Sequence, residues 1–309
     1  MKAFDVVGFG ALNVDKLFRV NKIAGAEQEV FITDCEETCG GSAANTIVGL
    51  ARLGCKVGFI GKVANDREGK MLLDDFRKEG VDAKGVVCAD RGRSGTVMGF
   101  VDRKGERALY VDPGVNDTVD LSQIDVKYAS QSRFLHLTSF VGEKSFQAQK
   151  ELVAKLPENV RVSLDPGELY ARKGWSGLEP LMKRAWVVMP NLVELELLTA
   201  MKDYRKGAEF LLEKGPRVVA VKLGSRGCYV ADANENHLIE AFKVKVVDTT
   251  GAGDAFCAGF LFGLISERSL YDCGMIGNFV ASRCIMRMGA RTGLPTLKDL
   301  AERELVDRA

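Results

Sequence analysis

The sequence predicts an α/β protein built on a mostly parallel sheet. Short apolar runs alternate with amphipathic stretches along the 309 residues, the pattern of strands joined by crossover helices. Two further stretches break that rhythm with period-two alternation, so a second, smaller β unit is expected beside the main sheet. The length exceeds the roughly 100 to 200 residues of an ordinary domain, which suits one large domain carrying a minor unit.

Taken in order, Val6 to Phe9 starts the chain as a strand. No signal-peptide apolar region precedes it, so a cytoplasmic protein is expected. Gly8-Phe9-Gly10-Ala11-Leu12-Asn13 begins like a dinucleotide fingerprint, but Asn replaces the third Gly and the continuation reads as extended, which argues against a Rossmann dehydrogenase. Leu17 to Thr33 is the first alternating stretch. Ala43 to Leu53 follows as a helix closed by Gly54, then Lys56 to Gly61 as a strand and Lys70 to Glu79 as a helix. The second alternating stretch, Thr96 to Val111, turns at Asp102-Arg103-Lys104-Gly105. Both stretches read as antiparallel strands able to pair as one sheet, serving either as a lid or as a plain sheet extension. Strands at Phe134 to Leu137, Arg161 to Asp165, Trp186 to Pro190 and Val218 to Leu223 then alternate with helices at Ser145 to Leu156, Leu192 to Ala200 and Lys206 to Glu213.

Composition removes several function classes. Lys plus Arg number 43 against 42 Asp plus Glu, a net of +1, without the basic excess that phosphate-backbone binding demands, so no nucleic-acid partner is expected. No apolar run approaches the roughly 20 residues that cross a bilayer, and no membrane partner is expected. The eight cysteines include no Cys-x-x-Cys pair and fall largely in apolar runs, as reduced thiols do. With only His136 and His237 present, a Ser-His-Asp triad or a multi-His zinc site lacks material. His136, inside a strand, reads as a packed residue. No Gly-x-x-x-x-Gly-Lys-Ser/Thr loop and no His-Arg-Asp set occurs.

The most informative segment is Asp248-Thr249-Thr250-Gly251-Ala252-Gly253-Asp254, which opens an apolar, proline-free run to Ile265. A glycine turn ahead of a helix presents free backbone N–H groups and the positive end of the helix dipole, a setting for phosphate. Asp254 has two readings there. A carboxylate beside a phosphate is useful as the base for an attacking hydroxyl, and an acidic first-turn residue is also an ordinary helix cap. Gly40-Gly41-Ser42-Ala43-Ala44-Asn45 is a second glycine turn before a helix, either a ligand approach with Asn45 reading a sugar hydroxyl or a tight turn alone. Asn13 and Asp15 follow a buried strand two residues apart, facing the crevice at the sheet's carboxyl edge or bracing a turn as Asx residues. Glu194 and Arg226 have plain alternatives as a solvated acid and a turn residue.

These motifs together resemble the ribokinase-like (PfkB) family of carbohydrate and nucleoside kinases over nearly the whole chain, 1–309 as a single kinase domain. The family's Asp-Thr-Thr-Gly-Ala-Gly-Asp signature stands intact at 248–254. The resemblance implies a three-layer α/β/α core with a lid from about 12–36 and 94–115. It implies ATP as co-substrate, Mg²⁺, and transfer to the hydroxymethyl group of a sugar or nucleoside. Asp254 would be the base, and the N–H groups of Gly251, Ala252 and Gly253 the anion hole. Asn13, Asp15, Gly40, Gly41 and Asn45 would meet the acceptor. Asn191 and Glu194 match the motif that organises Mg²⁺, commonly through water, and the phosphates. Lys222, Gly224, Ser225 and Gly227 match the nucleotide loop and Asn278 the position beside the adenine.

The resemblance also implies a monovalent cation, K⁺ in the first instance, held by Asp248 with carbonyls from Thr250, Cys284, Arg287 and Gly289. Gly293 stands where the family often has Ser, which removes one ligand. Ser42-Ala43-Ala44 replaces the Lys-containing version of the second glycine motif, which points away from ribose itself. Dimerisation through the lid occurs in this family. A noncatalytic sugar or nucleotide sensor, and a kinase of a phosphorylated sugar using Arg103, Lys104 and Arg107, are the competing readings.

Overall fold

Parallel strands buried on both faces need continuous apolar runs, and the runs singled out above are the ones that form the centre of the large sheet. The computed structural model describes residues 2–104, 106–303 and 305–306. Gly105 of the predicted turn therefore lies outside the described residues. The strands, in chain order, are β1 (Phe4–Phe9), β2 (Asn13–Val20), β3 (Ile32–Gly40), β4 (Val57–Ala64), β5 (Asp82–Ala89), β6 (Gly95–Val101), β7 (Arg107–Asp112), β8 (Ser132–Thr138), β9 (Arg161–Asp165), β10 (Ala185–Val188), β11 (Val218–Lys222), β12 (Cys228–Ala231) and β13 (Asn236–Ile239).

Nine of them form one sheet in the order β13-β12-β11-β10-β9-β8-β1-β4-β5. All its pairings are parallel except those of β11 with β12 and β12 with β13. Side chains alternate between two cores, one on each face of the sheet. Val218 and Ala220 enter the first, while Val219 and Val221 enter the second. Helices cover both faces, giving the three layers. The helix Ala252–Ile265 is apolar on every side and buries each residue from Ala255 to Leu264, as a helix without a polar face must. The order reverses at β1, whose neighbours are β8 and β4, and such a switch point opens a crevice at the carboxyl ends of the strands.

The remaining strands form a separate sheet in the order β3-β2-β6-β7. Within each alternating stretch the pairing is antiparallel, but β2 pairs with β6 in parallel, a correction to the all-antiparallel expectation. The first stretch also differs in extent. Residues 21–31 carry no strand, because a turn closed by Gln28 N–H on the Gly25 carbonyl (3.2 Å) interrupts it. The chain becomes extended again as β3, a polar edge strand whose charges suit an unpaired margin. The strands β5, β12 and β13 were not foreseen. Gly85 and flanking charges mask the first, and the other two have four residues each, too few to show a period.

Candidate active site

Residues that sequence spacing scatters over 240 positions meet at the carboxyl edge of the large sheet. Gly251 ends the signature turn with φ 75° and caps the helix Ala252–Ile265 without any side-chain hydrogen bond. A Cβ on Gly251 would lie 2.5 Å from the Ala290 Cβ, so only glycine makes this turn. The Ala252 N–H donates to the Thr249 carbonyl at 3.2 Å. One of the three predicted anion-hole donors is thereby engaged with the protein.

Asp254 sits in the first turn of that helix, half-buried. Its Oδ2 accepts from Asn45 Nδ2 at 2.8 Å, and its backbone carbonyl accepts from the Thr46 hydroxyl at 3.2 Å. Burial pushes its carboxyl up to about 7; the Asn45 hydrogen bond opposes this, Asp165 adds to it, and Lys222 and Arg291 lower it. Asp254 therefore does not cap its own helix through its side chain, the ordinary alternative raised by its position.

Lys222, the last residue of β11, reaches the same turn. Its Nζ lies 3.4 Å from where a Cβ on Gly253 would stand, and it pairs with Asp165 Oδ2 at 2.8 Å. Burial acts to lower the Lys222 ammonium, but Asp165, Cys257 and Glu194 together outweigh it and the group is held above its ordinary value. Asp165, at the end of β9, also accepts from the Cys257 thiol at 3.4 Å. Its other oxygen, Oδ1, is buried with no hydrogen-bond partner.

Asn191 and Glu194 form a capping box on the helix Leu192–Thr199. Glu194 Oε1 accepts from Asn191 Nδ2 (2.7 Å) and Oε2 from its backbone N–H (2.9 Å). Burial and then Asp165 raise the Glu194 carboxyl. Glu194 is thus not the solvated surface acid of the plain reading. Hard oxygen donors with one orphaned carboxylate oxygen fit Mg²⁺ and its water shell. Next along the edge, Gly224, Ser225 and Arg226 form an exposed turn closed by Gly227 N–H on the Gly224 carbonyl (3.0 Å). Arg226 lies over the Tyr204 ring, 5.9 Å from its centre. Asn278 is nearly buried, and its Nδ2 donates to the carbonyls of Ile239 and Glu240, both at 3.1 Å. The amide that was expected beside the adenine ties its helix to the end of β13.

At the other end, the first residues of β2 carry Asn13 and Asp15. Asn116, fully buried, accepts from the Leu12 N–H (3.0 Å) and donates to the Leu12 carbonyl (2.9 Å) and to Asn13 Oδ1 (3.0 Å). That clamp leaves Asn13 Nδ2 as the free end of its amide. Asp15 lies across Gly40, where a Cβ would stand 2.2 Å from Oδ2, and burial raises its carboxyl to about 6 while Arg291 lowers it. Gly41, with φ 101°, caps the helix Ser42–Arg52, and a Cβ there would strike the Ala11 carbonyl at 2.2 Å. Asn45, expected as a sugar contact, is 5% exposed with both ends of its amide engaged.

Several of the expected cation residues lie around Asp248. Asp248 accepts from Thr250 N–H (3.0 Å), Thr250 Oγ1 (2.8 Å) and Gly289 N–H (2.9 Å). The Cys284 carbonyl accepts from the Arg287 N–H at 3.3 Å. A Cβ on Gly293 would stand 2.5 Å from the carbonyls of Arg283 and Cys284, so a serine ligand does not fit there. His136 is fully buried beside Ser163, and burial lowers it to about 4.

Sequence reasoning missed Asp165, Arg291, Asp75 and Asn116. Asp165 had a signal, an acid ending a buried strand. The others had none, since their importance comes from contacts across 100 or more residues.

A helix N-terminus without a side-chain cap, a lysine beside it and a carboxylate in its first turn are the parts a phosphotransferase acting on a hydroxyl needs. The chain belongs to the pfkB family of carbohydrate kinases, whose pattern it matches over residues 3–297. It is 47% identical over 255 residues to an uncharacterized sugar kinase of Archaeoglobus fulgidus, covering 82% of this chain and 100% of that one. It is 32% identical to an ATP-dependent ribose-1-phosphate kinase of Halopiger xanaduensis, covering 96% of each. The crystal structure of ribokinase from Thermotoga maritima superposes with a TM-score of 0.84 at 25% identity, covering 97% of this chain and 98% of that one. The chain is accordingly an ATP-dependent sugar kinase of this family. No helix among the described residues is long and apolar enough to cross a membrane.

Proposed function

We propose that Asp254 is the general base that takes the proton from the hydroxymethyl group of a sugar or a nucleoside's ribose as that oxygen attacks the γ-phosphate of ATP. The observation that carries this reading is the placement of the Asp254 carboxylate in the same uncapped helix turn that Lys222 Nζ overhangs. A base and an anion site then address one oxygen–phosphorus pair. Its pKa of about 7 suits a base working near neutrality.

Asn13 Nδ2 and the Asp15 carboxylate offer a donor and an acceptor to the acceptor's other hydroxyls. The uncapped turn and Lys222 stabilise charge on the phosphoryl group as it moves. Asp165 and Glu194 would hold Mg²⁺ and its waters, and the ion, when bound, supplies further neutralisation of phosphate charge. The small sheet acts as a lid over the acceptor, excluding water so that ATP is not hydrolysed, and its outer surface offers a route to a homodimer.

A second reading, a sugar that already bears a phosphate, is favoured by the Halopiger relative and by the exposed Arg103 and Lys104 on the small sheet's hairpin. Incubation of the protein with ATP and Mg²⁺ against free sugars, sugar-1-phosphates and nucleosides separates these readings. We expect one class to give stoichiometric ADP and a phosphorylated product. ATP binding without transfer to any of them would instead support a sensor.

A further inference from the structure

Asn45 is held from behind. Arg291 Nε donates to Asn45 Oδ1 at 2.7 Å, its Nη2 donates to the Gly40 carbonyl at 3.3 Å, and its Nη1 pairs with Asp75. Arg291 is 8% exposed, and its guanidinium has no acceptor capacity. A flipped Asn45 would set its NH₂ against an N–H, so the amide has one tenable orientation.

We propose that Arg291 is a positioning residue for phosphoryl transfer: by fixing the Asn45 amide it directs Nδ2 onto Asp254 Oδ2 and reserves Asp254 Oδ1 for the acceptor's proton. This rests on the reading of Asp254 as base. Asp75, from the helix Arg67–Lys78, holds Arg291 in place and has Arg52, Lys78 and Glu79 around it. The charged and titratable groups facing Asp254 are Asp165 from β9, Lys222 from β11, Cys257 on its own helix, Cys284 from the helix Leu270–Cys284, and Arg291. Arg291 therefore acts on the base twice, through Asn45 and through its charge, and both actions favour the ionised carboxylate.

The test is Arg291→Gln, with Arg291→Gln/Asp75→Asn beside it so that no buried Asp75 charge is left stranded. Turnover is followed against pH, with Asp254→Asn as reference. We expect kcat to fall roughly tenfold or more in both variants, the acid limb of kcat to move to higher pH, and KM for ATP to stay near that of the unaltered enzyme. A folded double variant with unchanged kcat and acid limb overturns the proposal while an inactive Asp254→Asn leaves the base reading standing. An active Asp254→Asn sinks both.

Discussion

At the scale of single residues, the site is a set of charges arranged around one helix turn, and each predicts a different failure. Lys222 and Asp165 are a buried pair, with side chains 12% and 9% exposed. Removing one partner strands the other, so Lys222→Met should lower unfolding stability by about 3–5 kcal/mol and raise KM for ATP. Thermal unfolding and steady-state kinetics check both; an unchanged KM would remove Lys222 from the nucleotide's path. Asp254 should set the pH response. Its raised pKa, about 7, means that the base is protonated and idle below that value, so kcat should fall as pH drops through it and level off above. A flat profile between pH 5 and 8 would show that Asp254 does not titrate in turnover. Much of this scale was legible in the sequence, because Asp248-Thr249-Thr250-Gly251-Ala252-Gly253-Asp254 is contiguous. Arg291 was not legible, because a lone charge in a glycine-rich loop acquires its meaning only from Asn45 and Asp75, brought to it by folding.

At the scale of elements, two helix starts frame the proposed site and both depend on glycine. Gly41 and Gly251 have φ of 101° and 75° and no room for a Cβ. Gly41→Ala and Gly251→Ala should each cost on the order of 1–3 kcal/mol from strain. Gly251→Ala should also reduce kcat, because the turn that receives the phosphoryl group must shift. Unfolding midpoints and turnover for the two variants check this; loss of stability with full activity in Gly251→Ala would detach the turn from the reaction. The central strands were readable from their continuous apolar runs. β3 was not, since Thr33-Asp34-Cys35-Glu36-Glu37-Thr38 has no apolar face. It is an edge strand held by backbone pairing with β2, a force that leaves no periodic trace in the side chains.

At the scale of the whole molecule, the proposed function assigns the nucleotide to the three-layer core and the acceptor to the separate four-stranded sheet. β2 is the joint between them: it begins at Asn13 against the crevice and runs outward through the small sheet. If that sheet closes on the acceptor, amides of β6 and β7 should exchange with solvent more slowly once acceptor is bound. Unaltered exchange at those strands would show that it does not act as a lid. The two-sheet organisation was legible from the change of hydrophobic period, but the parallel pairing of β2 with β6 was not, because period-two alternation does not encode strand direction.

The central claim is that Asp254 accepts the proton of the attacking hydroxyl, and single-turnover phosphoryl transfer by Asp254→Asn with ATP prebound tests it most directly. The account predicts transfer slowed by about 10²- to 10⁴-fold with ATP affinity intact. Transfer at the rate of the unaltered enzyme, in a variant that binds ATP normally, would contradict it.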